Sequence, residues 1–186
     1  SVLIGTRYPV IIYDDGSTDK SCEIIDMVIR DNPGVNVNFV KSLVNQGTVL
    51  AVTNATDLVN TKYVKLLAAD DLIDMNGFEQ FVAERLPMKN EVGVILTDVK
   101  IIGEKRLFYK YKWRNSYGRR FSRLPRMLQF ACIVASNNLL APGAILRTDV
   151  LKFSLPKLEG IKYIEDWPMW IYISNRAFKF VFSKSS

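Results

Sequence analysis

A single-domain α/β fold, with a mostly parallel central sheet flanked by helices, is what this sequence predicts. Three observations carry that expectation. Short apolar runs such as "PVIIY" and "VGVIL" alternate with stretches of helical periodicity, two predicted strands run into paired aspartates, and 186 residues at 48% hydrophobic content suffice for one core.

Taken in order, "SVLI" and "PVIIY" read as strands bounded by turn residues. "STDKSCEIIDMVIRDN" reads as a helix capped by Ser17 or Thr18, with Ile24, Ile25, Val28 and Ile29 along one stripe and "NPG" as its stop. "VNVNFVK" alternates like a strand, "NQGTVLAVTNATDLV" has helical spacing at Leu50, Val52 and Ala55, and "KYVKLLAADD" is a strand ending in acids. This order of strand, helix, strand, helix, strand over residues 1–80 implies a parallel sheet. Beyond it, "MNGFEQFVAERL" reads as a helix and "VGVILTDV" as a strand. Residues 100–126 hold ten Lys or Arg, one acid and six aromatics, and read as a long loop or an irregular surface segment. An apolar stretch to about Leu151, a Trp-rich helix "EDWPMWIYISNRA" and a strand in "FKFVFSKSS" complete the chain.

Composition narrows the chemistry. The chain has no histidine, which removes Ser-His-Asp triads and His-ligated zinc together, so catalysis has to run on carboxylates. Cys22 and Cys132 form no CxxC pair, so neither a zinc site nor a disulfide framework is suggested. A net charge of +6 suits an anionic partner. No apolar run approaches the roughly 18 residues that span a bilayer, and the start does not read as a signal peptide. A cytoplasmic place is therefore expected, extending to a peripheral one at the inner face of the membrane.

Asp14-Asp15 and Asp70-Asp71 both fall where predicted strands end, which is where open parallel sheets bind ligands. Carboxylates about 4 Å apart repel by roughly 4 kcal/mol at an effective dielectric near 20, so four acids on one sheet edge call for a cation or a hydrogen-bonding ligand. With oxygen ligands alone the cation is a hard one, Mg²⁺ or Mn²⁺, held jointly with a substrate's phosphates. Each pair also has a plain reading as a solvated strand end beside a helix cap.

The succession of "SVLIGT", "VIIYDDGSTD", "NQGTVLAVTNA", "YVKLLAADD" and "IEDW" resembles the family 2 glycosyltransferases of the GT-A fold over nearly the whole chain. The resemblance implies a sugar moved from a nucleotide-sugar donor, a UDP-sugar favoured, to a glycan or lipid-linked glycan acceptor with inversion at the anomeric carbon. It implies a divalent metal, Mn²⁺ or Mg²⁺. Residues 1–75 would form the nucleotide-binding half and 76–186 the acceptor side.

Residue by residue, the resemblance makes Thr6, Asp14, Asp15, Asn45 and Gly47 donor contacts, with Asp15 at the base and Gly47 letting a helix start come close to the nucleotide. Asn54 would be a structural hydrogen-bonding residue. Asp71 would take the metal, with Asp70 near the ribose or the metal and the division between the two acids left open, although many family members have an aspartate where this chain has Ala68. Gly143 and Ala144 would face the donor sugar, their small side chains giving it room. Asp166 is the implied general base, Glu165 stands beside it in the catalytic motif, and Trp167 offers an acceptor-side platform. Glu165 and Asp166 also have a plain reading as helix-start acids.

Only "GTRYP" separates the first two predicted strands, whereas a crossover between parallel strands takes about a dozen residues. A segment omitted between Thr6 and Arg7 is therefore expected. The rival reading is a non-catalytic nucleotide- or nucleic-acid-binding α/β protein built on residues 100–126, where Arg and Tyr would stack and neutralise phosphates. In a glycosyltransferase the same segment would be an acceptor loop, a patch on anionic membrane, or simply a solvated basic loop, and a nucleic-acid partner is not favoured.

Overall fold

The computed structural model describes residues 6–103, 108–155 and 166–183. The predicted first strand and Glu165 lie outside the described residues.

Strand β1 (Val10–Asp14) pairs in parallel with β2 (Val37–Lys41), and α1 (Ser21–Arg30) joins them as the alternating pattern requires. Its start differs from expectation. Neither Ser17 nor Thr18 caps it; the helix begins at Ser21, whose N–H donates to Asp19 Oδ1 at 2.9 Å. The apolar stripe of α1 is left half-buried or exposed. Helix α2 (Thr48–Asp57) follows β2 and returns to β3, which is only Tyr63–Val64.

Here the parallel expectation gives way. β3 pairs antiparallel with β5 (Ala144–Arg147), β5 pairs antiparallel with β4 (Val92–Leu96), and β4 pairs in parallel with β6 (Lys179–Phe182), in the order β3-β5-β4-β6. Among the described residues, β1-β2 and this four-stranded sheet are separate hydrogen-bonded units.

Strand β4 is buried along its whole length because the sheet is covered on both faces. Val94 and Leu96 point into one cluster with Leu146, Leu151, Trp170, Ile173 and Phe180, while Ile95 and Ile145 point into the other with Phe81 of α3 (Met75–Arg85). That is the two-residue period of a strand written into one apolar run. Phe180 stands edge-on to both Phe121 and Trp170, each with ring centres 5.8 Å away. β6 lies at the sheet edge, and buried Gln129 covers it: its Nε2 donates to the Phe180 carbonyl at 2.9 Å and its Oε1 accepts from the Phe180 N–H at 3.0 Å.

The described part of residues 100–126 is largely helical, not the expected long loop or irregular surface segment. Phe108–Phe121 form helix α4, and α5 (Arg126–Ala135) follows after a short turn. Trp113, Tyr117 and Phe121 recur every four residues and stack with centroids 5.6 and 6.0 Å apart, carrying Phe121 into the core. The basic residues take the remaining faces, so the count of charges hid a helical aromatic stripe. After α5 the chain runs through a 3-10 turn at Ala141–Gly143 into β5, then α6 (Thr148–Ser154), and α7 (Asp166–Asn175) leads to β6. Trp170 of α7 is core, at 1% exposure.

Candidate active site

The loop after β1 is built from its own acids. Asp14 is 8% exposed, and its Oδ1 accepts from the N–H groups of Gly16 at 3.2 Å and Ser17 at 2.9 Å. Hydrogen bonds from Ser17, side chain first and backbone next, hold the Asp14 carboxyl below the ordinary carboxylate range. Asp15 reaches across to the next connection: its Oδ1 accepts from Gln46 N at 3.0 Å and its Oδ2 from Gly47 N at 2.8 Å, at the start of α2. A carboxylate there meets free N–H groups and the positive end of the helix dipole. Gly16, at φ 80°, makes the approach possible, since a Cβ on it would lie 2.7 Å from Asn45 N. Asn45 itself is exposed, and Gly47 sits at φ 89°. Thr6 is buried, its Oγ1 accepting from Tyr8 N at 3.2 Å. Asn54 donates from Nδ2 to the Tyr13 hydroxyl at 3.1 Å, a structural bond between α2 and β1.

The second acid pair is differently placed. Asp70 is exposed and Asp71 half-buried in a turn where Asp71 N donates to the Ala68 carbonyl. Among the described residues neither carboxylate makes a hydrogen bond or an ion pair. Lys65 lies nearby at the end of β3, its Nζ donating to the Pro142 carbonyl at 2.5 Å. Burial pushes the Lys65 ammonium down to about 8 while the charge of Asp71 pulls it back up.

The expected gathering of four acids is not there. Among the described residues no three acids or other metal-ligating side chains come together, and β1 and β3 belong to separate hydrogen-bonded units. A divalent metal still fits Asp70 and Asp71: both are hard oxygen donors with uncommitted lone pairs, and Mg²⁺ or Mn²⁺ is commonly held by one or two carboxylates plus substrate phosphates.

On the third side, Asp166 opens α7, its Oδ1 accepting from Trp167 N at 2.7 Å and its Oδ2 from Asn137 Nδ2 at 3.1 Å. The Trp167 indole N–H donates to the Ile133 carbonyl at 2.7 Å, and its half-buried ring packs against the core. Ala144 has its side chain in the core at 1% exposure, and the space beside Gly143 is occupied, since a Cβ there would lie 2.5 Å from the Thr97 carbonyl. The Cβ direction of Gly143 and the side chain of Ala144 thus face the protein interior.

Three residues went unread in the sequence. Lys65 left a trace, a lone charge inside "YVKLLA". Asn137 is one of the polar residues breaking "FACIVASNNLL", and Arg114 was lost among the basic residues of its segment.

Against known proteins, a family model described as Glycosyl transferase family 2 matches residues 4–150. A dolichyl-phosphate beta-glucosyltransferase of Dictyostelium discoideum is 27% identical over 90 residues, which are 47% of this chain and 27% of that protein. An uncharacterized glycosyltransferase of Haemophilus influenzae is 35% identical over 71 residues, 38% of this chain and 28% of that protein. The crystal structure of S. aureus TarS 1-349 superposes with a TM-score of 0.58 at 18% identity, covering 97% of this chain and 50% of that one. The chain thus matches about a quarter of each of the two curated relatives and half of the TarS structure.

Proposed function

This chain belongs to glycosyl transferase family 2 and has the GT-A type of α/β fold, and from that premise we propose that it moves a sugar from a nucleotide-sugar donor, a UDP-sugar by preference, to a glycan or lipid-linked glycan acceptor with inversion. The observation that carries the reading is the contrast between the two acid pairs. Asp14 and Asp15 are committed to backbone N–H groups, whereas Asp70 and Asp71 have no hydrogen-bond or ion-pair partner among the described residues. The first pair fixes the loop on which a nucleotide base would rest, with the remaining lone pairs of Asp15 available to the ring edge. The second pair would hold the Mn²⁺ or Mg²⁺, Asp71 as a ligand and Asp70 beside it toward the metal or the ribose. Thr6, Asn45 and Gly47 line the nucleotide side, and Gly143 acts through its backbone rather than through empty space.

The bound metal supplies positive charge against the charge developing on the leaving diphosphate. Asp166 takes the proton of the acceptor hydroxyl as that oxygen attacks the anomeric carbon from the face opposite the leaving group. Trp167 contributes the acceptor side. The name of the Dictyostelium relative favours a lipid-linked acceptor. Exposed Lys110, Lys112 and Arg120 on α4 suit contact with an anionic membrane surface that carries such an acceptor. No helix among the described residues is long and apolar enough to cross a membrane.

The deciding experiment is a calorimetric and thermal-shift screen of UDP-, GDP- and dTDP-sugars with and without Mn²⁺. Metal-dependent binding of one nucleotide class, lost in Asp71→Asn, is the expected result; no binding by any of them overturns the reading. Tight binding of RNA or DNA with a steep salt dependence and no metal requirement would favour the nucleic-acid alternative.

A further inference from the structure

The Asp166 carboxylate is held from two separate elements, and a third holds one of these in turn. Its Oδ1 accepts from the Trp167 N–H of its own helix, and its Oδ2 from Asn137, which lies 29 residues away in the connection between α5 and β5. That connection has no regular structure of its own at residues 136–140. It is held by Arg114 of α4, whose Nη2 donates to the carbonyls of Asn137 at 3.1 Å and Leu139 at 2.6 Å and whose Nε donates to that of Asn138 at 3.2 Å. A planar guanidinium with a fixed fork of donors suits three successive carbonyls in a way a lysine ammonium does not. The guanidinium thereby sets the height at which Asn137 meets the carboxylate.

Asn137 uses its amide unevenly. Nδ2 bonds the Asp166 carboxylate, while Oδ1 is buried and has no hydrogen-bond partner among the described residues. The neighbouring asparagine stays local instead: Asn138 Nδ2 donates to the Ser136 hydroxyl, two residues back, at 2.6 Å. A buried amide left half-paired calls for a reason other than local stability.

We infer that Asn137 is a positioning residue for the transfer reaction: its amide fixes the plane of the Asp166 carboxylate, and Arg114 fixes the loop that presents it. This rests on the reading of Asp166 as the base. With one bond on Oδ1 and one on Oδ2, each oxygen keeps a lone pair, and the plane in which those lone pairs meet an acceptor hydroxyl is set by the two donors. A basic helix that looked like a solvated or lipid-facing segment thus contributes one arginine to the geometry of the base.

The test follows UDP release from UDP-glucose, with water as acceptor, together with UDP binding by calorimetry in Mn²⁺ and the thermal midpoint. Asn137→Ala removes the amide, and Asn137→Asp keeps its shape while removing the donor. Both variants are expected to keep the UDP Kd within about twofold and to lower kcat by about 10- to 100-fold with KM little changed, the size of a misplaced reacting group. Adding Asn137→Ala to Asp166→Asn should lower the rate no further, since the amide acts through that carboxylate. An Asn137→Ala or Asn137→Asp enzyme at the wild-type rate, beside a crippled Asp166→Asn enzyme, overturns this inference alone. An Asp166→Asn enzyme at the wild-type rate overturns the base assignment and the inference with it. A loss of UDP affinity matching the loss of rate would make Asn137 a structural residue and overturn the inference as well.

Discussion

Lys65 Nζ donates to the carbonyl oxygen of Pro142 at 2.5 Å, tying the chain just ahead of the Asp70-Asp71 turn to the 3-10 turn that opens β5. The ammonium is largely withdrawn from water, and this desolvation lowers its pKa from 10.5 to about 8, the charge of Asp71 acting in the opposite sense. Below pH 8 both folded and unfolded chains hold the proton and the penalty is fully present. Between about 8 and 10.5 the unfolded chain binds more protons than the folded one, so stability rises with pH through that window. The contribution is on the order of 3 kcal/mol. Urea unfolding from pH 7 to 10.5 should show the difference between wild type and Lys65→Met changing across that window, whereas two parallel curves would contradict a titrating buried ammonium.

Asp15 joins two connections that are 31 and 32 residues apart in sequence through its bonds to Gln46 N and Gly47 N. Asp15→Ala removes both acceptors at the start of α2 and should destabilise the fold by about 1–2 kcal/mol, the scale of a lost helix cap. Asp15→Asn keeps one acceptor oxygen and should lose about half as much. Denaturant midpoints of the two variants, ordered in that way, check the claim; equal stability of all three proteins would mean the bonds contribute nothing.

Gly143 was expected to leave space for a sugar, but its neighbour is the Thr97 backbone, whose N–H and side-chain hydroxyl donate to the Gly143 carbonyl at 2.8 and 2.9 Å. A Cβ at this position meets the Thr97 carbonyl at 2.5 Å and Val99 Cγ2 at 2.9 Å. Backbone cannot move aside as a flexible side chain can, so Gly143→Ala should destabilise by about 1–3 kcal/mol or more through overpacking. Thermal unfolding measures this directly. A variant as stable as wild type, with altered donor preference, would restore the idea of a sugar-facing gap.

What the sequence made legible was whatever is periodic or local. The apolar run of β4, the helix starts near Thr48 and Asp166, and the core place of Trp170 all follow from spacing and turn chemistry. What stayed hidden depends on partners far away along the chain. Nothing near Asn137 shows that it meets Asp166, nothing near Gln129 shows that it covers the edge at Phe180, and β3 gives no sign that its partner is an antiparallel β5. Helix α4 was hidden for another reason: ten basic residues within residues 100–126 outweighed three aromatics at spacing four, yet burial is decided by the face that packs and not by the average composition.

The division of labour between the acid pairs has its own consequence. Asp14 and Asp15 bond backbone N–H groups, so replacing them removes interactions that hold the folded chain together. Asp70 and Asp71 make no such bonds among the described residues. Asp70→Asn should therefore change the unfolding free energy by no more than about 0.5 kcal/mol, as for a surface substitution without special contacts. Asp71→Asn removes the one negative charge that favours the Lys65 ammonium, so it should destabilise slightly more, and only below about pH 8 where that ammonium is charged. With UDP present, both variants should lose the thermal stabilisation that added Mn²⁺ gives the wild type, because ligand-linked stabilisation disappears with the affinity that produces it. The same two substitutions thus separate folding from metal-assisted binding. A large loss of stability without metal, or an undiminished Mn²⁺ shift in both, would place the cation elsewhere.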